Sequence, residues 1–209
     1  MTNLELLVTL WPTFPHFKRF ANDARLNGIR INSAAAKHEK GSTLKEELLL
    51  AKKLEGPVPL YFDIKGRQLR VLEPCNYKDH LELKINHKIS VETPTVVLFK
   101  AGTDRALLKE VVNGDHLIFE GGPHYLVNDG ESLQIRNQSL NVQGPIFCDY
   151  EIERIKNARE TGFDRFALSY VESTRDIDEF RGYVGDSEII AKIENKKGLE
   201  YVTNEFKIA

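Results

Sequence analysis

Three short apolar runs at the start of this chain are separated by stretches of helical period, and that alternation narrows the fold more than any other feature. Leu4-Glu5-Leu6-Leu7-Val8-Thr9-Leu10 stops at Trp11-Pro12, Ile29-Arg30-Ile31-Asn32 is the second run, and Leu60-Tyr61-Phe62-Asp63-Ile64 is the third. Between the first two, Phe17, Phe20, Ala21 and Ala24 recur at helical spacing until Gly28, which reads as the helix stop. Between the second and third, Thr43-Leu44-Lys45-Glu46 is a capping box. It opens a helix with Leu44, Leu48 and Ala51 on one side, ended by Gly56-Pro57. Strand, helix, strand, helix, strand predicts parallel strands joined by crossover helices.

From about Val71 the helices disappear. Leu81–Ile85, Thr95–Phe99, His116–Phe119 and Ser132–Ile135 read as strands, with turns at Asn113-Gly114-Asp115, Glu120-Gly121-Gly122 and Asn128-Asp129-Gly130. His116 and His124 fall here, with no spacing that assigns them chemistry. At Cys148-Asp149 the α/β pattern resumes: a helix with Ile152 and Ile155 inward that ends at Gly162, then the strand Phe166–Val171. A helix capped near Ser173 or Thr174 follows, with Ile177 and Phe180 inward. The sequence therefore predicts an α/β domain over 1–71 and 146–209, interrupted by an all-β domain over 72–145.

The last strand-like run, Ser187-Glu188-Ile189-Ile190-Ala191-Lys192-Ile193-Glu194-Asn195, ends in charge, and a final helix is expected after Gly198. Side chains alternate along a strand, so Lys192 and Glu194 share a face. At the C-terminal mouth of a barrel that face lines the reaction chamber. A lysine there is a compact cation for developing negative charge, and Mg²⁺ takes one or two carboxylates beside substrate oxygens. A Lys-x-Glu pair taken alone is more often a buried ion pair at a strand end.

The run Ile189 to Asn195 resembles the lysine strand of pyruvate kinases, and two further segments extend the resemblance in order. Arg30-Ile31-Asn32-Ser33-Ala34-Ala35 is similar to the family's Arg-x-Asn-x-Ser-His pattern on its second strand. Asp63-Ile64-Lys65-Gly66-Arg67-Gln68-Leu69-Arg70 is similar to Asp-Thr-Lys-Gly-Pro-Glu-Ile-Arg on its third, after which the family inserts a small β domain. The resemblance implies a partial TIM (β/α) barrel with an inserted small all-β barrel that closes as a lid. It implies transfer of phosphate from phosphoenolpyruvate to ADP, giving pyruvate and ATP in glycolysis. In that scheme Arg30 and Arg70 hold phosphate, Lys192 lies at the transferring phosphoryl group, and Glu194 holds Mg²⁺.

Departures temper this expectation. Ala34 and Ala35 stand where the family has serine and histidine, Ile64 replaces threonine, and Gln68 stands at a glutamate position. Asn32 and Asp63 alone remain of the family's potassium ligands, so bound potassium is not expected. About 135 residues lie outside the insert, whereas a complete eight-stranded barrel takes roughly 200. The family's Ala-Arg-Gly-Asp strand, which carries the second magnesium ligand, is missing. The chain is thus expected to act as part of a longer chain or a homo-oligomer. The alternative is a non-catalytic relative that binds a phosphorylated metabolite or a protein partner. A magnesium-dependent aldolase or lyase on a similar barrel leaves the β insert unexplained.

Composition fits a globular cytoplasmic protein. Among 209 residues, 41% are hydrophobic and 29% charged, and the net charge of −2 advertises no nucleic-acid or membrane partner. The start of the chain lacks the basic and apolar segments of a secretory signal, and Cys75 and Cys148 have no metal-ligand or redox spacing.

Overall fold

The computed structural model describes residues 5–33 and 42–204, which fall into two compact units. One comprises residues 1–66 and 149–209 and the other residues 67–148. Ala34 and Ala35 lie outside the described residues.

The first unit is built on a parallel sheet of five strands. They are β1 (Leu7–Thr9), β2 (Gly28–Asn32), β3 (Leu60–Ile64), β12 (Arg165–Leu168) and β13 (Glu188–Ala191), in that spatial order. The connecting helices are α1 (Phe17–Phe20), α2 (Leu44–Leu54), α3 (Asp149–Glu160) and α4 (Thr174–Val184), with α5 (Lys196–Asn204) after β13.

Three of the helix starts have a local cause. Thr43 Oγ1 accepts from the Glu46 N–H at 3.3 Å, while Glu46 Oε2 accepts from the Thr43 N–H at 2.7 Å, the reciprocal box that caps α2. Asp176 Oδ2 accepts from the Glu172 and Ser173 N–H groups ahead of α4, using backbone donors a helix start leaves unpaired. Gly198 does not precede the last helix, as its sequence position suggests. It lies in the first turn of α5, where its N–H donates to Asn195 Oδ1 at 2.8 Å. A Cβ on Gly198 would stand 2.4 Å from the Val171 carbonyl oxygen, so only glycine lets the chain approach there.

Alternation divides the parallel sheet into two chemically different faces. Ile29, Ile31, Leu60, Phe62, Ile64, Phe166 and Leu168 point to one side and are buried. Leu48 and Ala51 of α2, Ile155 and Ala158 of α3, and Phe180 and Val184 of α4 are buried as well, the apolar positions of the covering helices. Phe166 meets Phe180 edge to face, with centroids 5.7 Å apart. The other face carries Arg30, Asn32, Tyr61, Asp63, Glu188 and Lys192, the side set by strand register. Burying so many apolar side chains on one face fixes the register, because a one-residue slip would send the charged row into the core.

The helix predicted to run up to Gly28 is shorter: α1 is a single turn, followed by turns to Leu26. Gly28 instead opens β2, and its missing side chain makes room for Tyr61, whose Cε2 would lie 2.8 Å from a Cβ.

The second unit is antiparallel. Its six-stranded sheet contains β4 (Val71–Asn76), β5 (Leu81–Ile85), β7 (Thr95–Phe99), β8 (Asp104–Val112), β9 (His116–Glu120) and β10 (Leu133–Ile135), ordered β10-β7-β8-β9-β5-β4. A two-stranded sheet pairs β6 (Lys88–Ser90) with β11 (Asn141–Gln143). The larger sheet curls until its outer strands meet. The Val71 N–H donates to the Glu131 carbonyl at 2.9 Å, the Leu133 N–H donates to the Leu69 carbonyl at 3.2 Å, and Arg70 bridges Ser132. Its interior is a continuous cluster that includes Val71, Leu83, Val97, Phe99, Leu108, Leu117, Phe119 and Leu133. Among the described residues no helix is long and apolar enough to cross a membrane.

Candidate functional site

The charged row of the parallel sheet converges at the C-terminal ends of its strands. Asn32 closes β2 and sits in register with Asp63 of β3, while Lys192 follows the last residue of β13. Strands that all run parallel bring their C-terminal ends out at the same edge of the sheet. Residues far apart in sequence therefore meet there.

Asp63 is the centre of this cluster. It is fully buried, and buried carboxylates are costly unless paired. Three cations surround it. Lys65 Nζ donates to Oδ2, Arg30 Nε lies 3.8 Å from the same oxygen, and Lys192 Nζ lies 3.0 Å from Oδ1. The Lys192 contact runs off the direction of a hydrogen bond, so charge alone carries it. Arg30 Nε is buried and has no hydrogen-bond partner among the described residues. Lys65 is held from its other end as well, since its backbone N–H donates to Glu151 Oε1 at 2.9 Å from the first turn of α3.

Glu194 is the outer member. Its Oε1 is 3.6 Å from Lys192 Nζ, and its Oε2 accepts from the Tyr170 N–H at 3.1 Å. Lys192 thus stands between a buried carboxylate and a half-exposed one. Tyr170 holds a positive φ of 55°, a backbone conformation that costs an L-residue roughly 1 kcal/mol or more. Sequence reading missed Tyr170, because no residue type announces a left-handed tyrosine.

Arg30, Lys65 and Lys192 gather three positive charges at the strand ends, against the carboxylates of Asp63, Glu194 and Glu151, and cations drawn together in this way can meet an anion. Lower on the same face the Tyr61 hydroxyl donates to Glu188 Oε1 at 2.8 Å. Burial, then that hydrogen bond, pushes the Tyr61 phenol up to about 12.

The two carboxylates differ in what they can hold. Asp63 is already answered by ammonium and guanidinium groups. Glu194 is 36% exposed at its side chain, and one carboxylate completed by water and ligand oxygens fits the way Mg²⁺ is bound. Among the described residues no three His, Cys, Asp or Glu side chains are gathered as a metal centre. Arg70 belongs to the other unit. There its guanidinium donates to the Gly130 carbonyl and to Gln68 Oε1, both at 2.6 Å.

Comparison with known proteins gives a consistent answer. No family model matches the chain. The chain is 25% identical to a pyruvate kinase of Methanocaldococcus jannaschii over 221 residues, which is 97% of this chain and 46% of that protein. It is 27% identical to a pyruvate kinase of Thermoplasma acidophilum, covering 95% of this chain and 38% of that protein. With a pyruvate kinase of Borreliella burgdorferi it shares 24% identity, covering 90% and 43%. This chain is similar to pyruvate kinases over most of its length and spans less than half of theirs.

Proposed function

We propose that this pyruvate kinase-like chain forms the phosphoryl-binding part of a phosphotransferase, moving phosphate between phosphoenolpyruvate and ADP within a larger chain or assembly. The observation that carries the reading is the placement of Lys192 between Asp63 and Glu194 at the strand ends. Phosphoryl transfer needs positioning and charge neutralisation more than covalent chemistry, and this cluster offers both.

In this proposal the parallel sheet is part of a (β/α) barrel and the curled β unit is its inserted barrel lid. Lys192 faces the transferring phosphoryl group and the enolate left behind, where a fixed ammonium counts most as charge develops. The Arg30 side chain, beside Asp63 yet 31% exposed, supports a role in holding a phosphate oxygen. Asp63, with Lys65 on its other oxygen, keeps Lys192 in place rather than touching substrate. A magnesium ion held by Glu194 would neutralise phosphoryl oxygens. Glu194 itself is oriented by the Tyr170 N–H. Arg70, with its guanidinium engaged inside the β unit, takes a structural part in our reading.

The test is calorimetric titration of the chain with phosphoenolpyruvate, with and without Mg²⁺, beside a coupled assay with ADP in the complemented assembly. Magnesium-dependent binding lost in Lys192→Ala is the expected result. Absence of binding in both conditions would sink the proposal. Binding with no turnover in any assembly would instead establish a non-catalytic relative.

A further inference from the structure

The β unit contains a cleft of about 440 Å³ that the phosphotransfer reading leaves unused. One wall is the β4–β5 hairpin tip, a tight turn closed by the Tyr77 N–H donating to the His80 carbonyl at 3.0 Å. The facing wall is the strap that leaves β9 through Gly122 and runs to Leu126.

Hydrogen bonds pin both walls. Asn76 Nδ2 donates to the Val127 carbonyl at 3.0 Å, and the Val127 N–H donates back to Asn76 Oδ1 at 3.1 Å. His80 forms a backbone bridge with Gly121. The His124 N–H donates to Asp104 Oδ2 at 3.0 Å, and its ring Nδ1 lies 3.2 Å from Oδ1. A cleft fixed at its floor and on the strap is preformed, so a ligand need not order it.

Its lining is selective. Tyr77 stacks on His80 with centroids 4.7 Å apart and 24° between planes, and half of the tyrosine is exposed. That stack presents an aromatic platform held by its neighbour. Leu126, 72% exposed, adds apolar surface, and Gly122 leaves the opposite wall bare. Lys78 forms no ion pair among the described residues, and His80 and His124 are the other groups able to carry positive charge. No carboxylate lines the cleft, although Glu82 and Asp104 stand behind the two histidines.

We infer that this cleft binds a small aromatic anion, its ring stacked on Tyr77 against Leu126 and its acid group on Lys78. Stacking and charge recognise different halves of such a molecule, so a probe needs both to bind well. The proposal is independent of phosphotransfer at the parallel sheet.

The experiment titrates isotopically labelled full chain with 2-naphthyl phosphate, inorganic phosphate and 2-naphthol, reading amide shifts by NMR. The expected result is naphthyl phosphate shifting resonances in 76–81 and 122–126, with each half-molecule at least tenfold weaker. Lys78→Ala and Tyr77→Ala should each weaken it about tenfold, and Tyr77→Phe should retain it; both side chains are at the surface, so the fold survives. No binding, shifts outside those segments, or affinity unmoved by both substitutions would overturn the inference.

Discussion

Lys192 and Asp63, 3.0 Å apart, come from strands separated in the sheet by β12, yet the lysine's charge is directed at a carboxylate that no solvent reaches. Register alone brings them together: Asp63 is in line with Ala167, Ala167 is in line with Ile190, and Lys192 is two residues further on the same face. A cation so fixed loses little reorganisation when a second anion arrives beside it.

Removing that buried charge should cost more than removing any one cation. Asp63→Asn leaves Lys65, Lys192 and Arg30 facing one another without their counter-charge, and a loss of about 3 kcal/mol is expected. Lys192→Met, which leaves Asp63 two partners, should cost less than half as much. Urea denaturation of both variants checks the order; an Asp63→Asn protein within 0.5 kcal/mol of the parent would show that the cluster is not what holds the strand ends.

In the complemented protein, Lys192→Ala should lower kcat about a hundredfold or more while KM for phosphoenolpyruvate moves only a few-fold. The ammonium is needed most as phosphoryl and enolate charge develops. Steady-state kinetics decide this, and an unchanged kcat would remove Lys192 from the reaction.

Glu194→Gln should leave the Tyr170 hydrogen bond available and remove an anionic ligand, so the magnesium concentration for half-maximal activity should rise about tenfold or more. Added potassium should change the rate little, because side-chain cations already answer Asp63. Strict dependence on potassium would contradict that arrangement.

Tyr61 gives a pH signature. Its folded pKa is raised to about 12 from an ordinary value near 10, by burial and by the hydrogen bond to Glu188. The neutral phenol is therefore favoured by the fold. The associated stability is complete below pH 10 and is lost as pH rises through 12, on the order of 1 to 2 kcal/mol. Ultraviolet titration should show more than one late phenolate, since burial also raises Tyr125, and Tyr61→Phe should remove one of them; a late-titrating amplitude unchanged in that variant would refute the assignment.

Two helical glycines should respond oppositely to alanine. Gly182 in α4 has open space around its missing Cβ, and Gly182→Ala should stabilise by about 0.5 to 1 kcal/mol. Gly198→Ala would push a methyl against the Val171 carbonyl and should destabilise by about 1 to 3 kcal/mol. Thermal melts of the pair separate propensity from contact.

Much of this was legible in residue order. The capping box at Thr43 announces α2 because its two hydrogen bonds depend on residues three apart, and alternation puts Lys192 and Glu194 side by side. What stayed hidden depends on approach between distant segments. Gly28 looks like a helix stop, yet Tyr61 from the next strand explains it. Gly198 looks like a helix boundary, yet Val171 and the Asn195 side chain decide its place. Alternation likewise sets Lys65 beside Asp63, but the order of residues does not show that Arg30 and Lys192 from other strands converge on the same carboxylate.

The adjacency of β3 and β12 has a kinetic meaning. Phe62 and Phe166 are paired neighbours about a hundred residues apart in the chain, and closing a disordered loop of that length is slow and entropically costly. The intervening segment has a hydrophobic core of its own and can collapse first, which shortens the distance the chain must search. Refolding of the parallel sheet should therefore follow the β unit, and Phe119→Ala, which hollows the β core, should slow the pairing of two strands that contain none of its atoms.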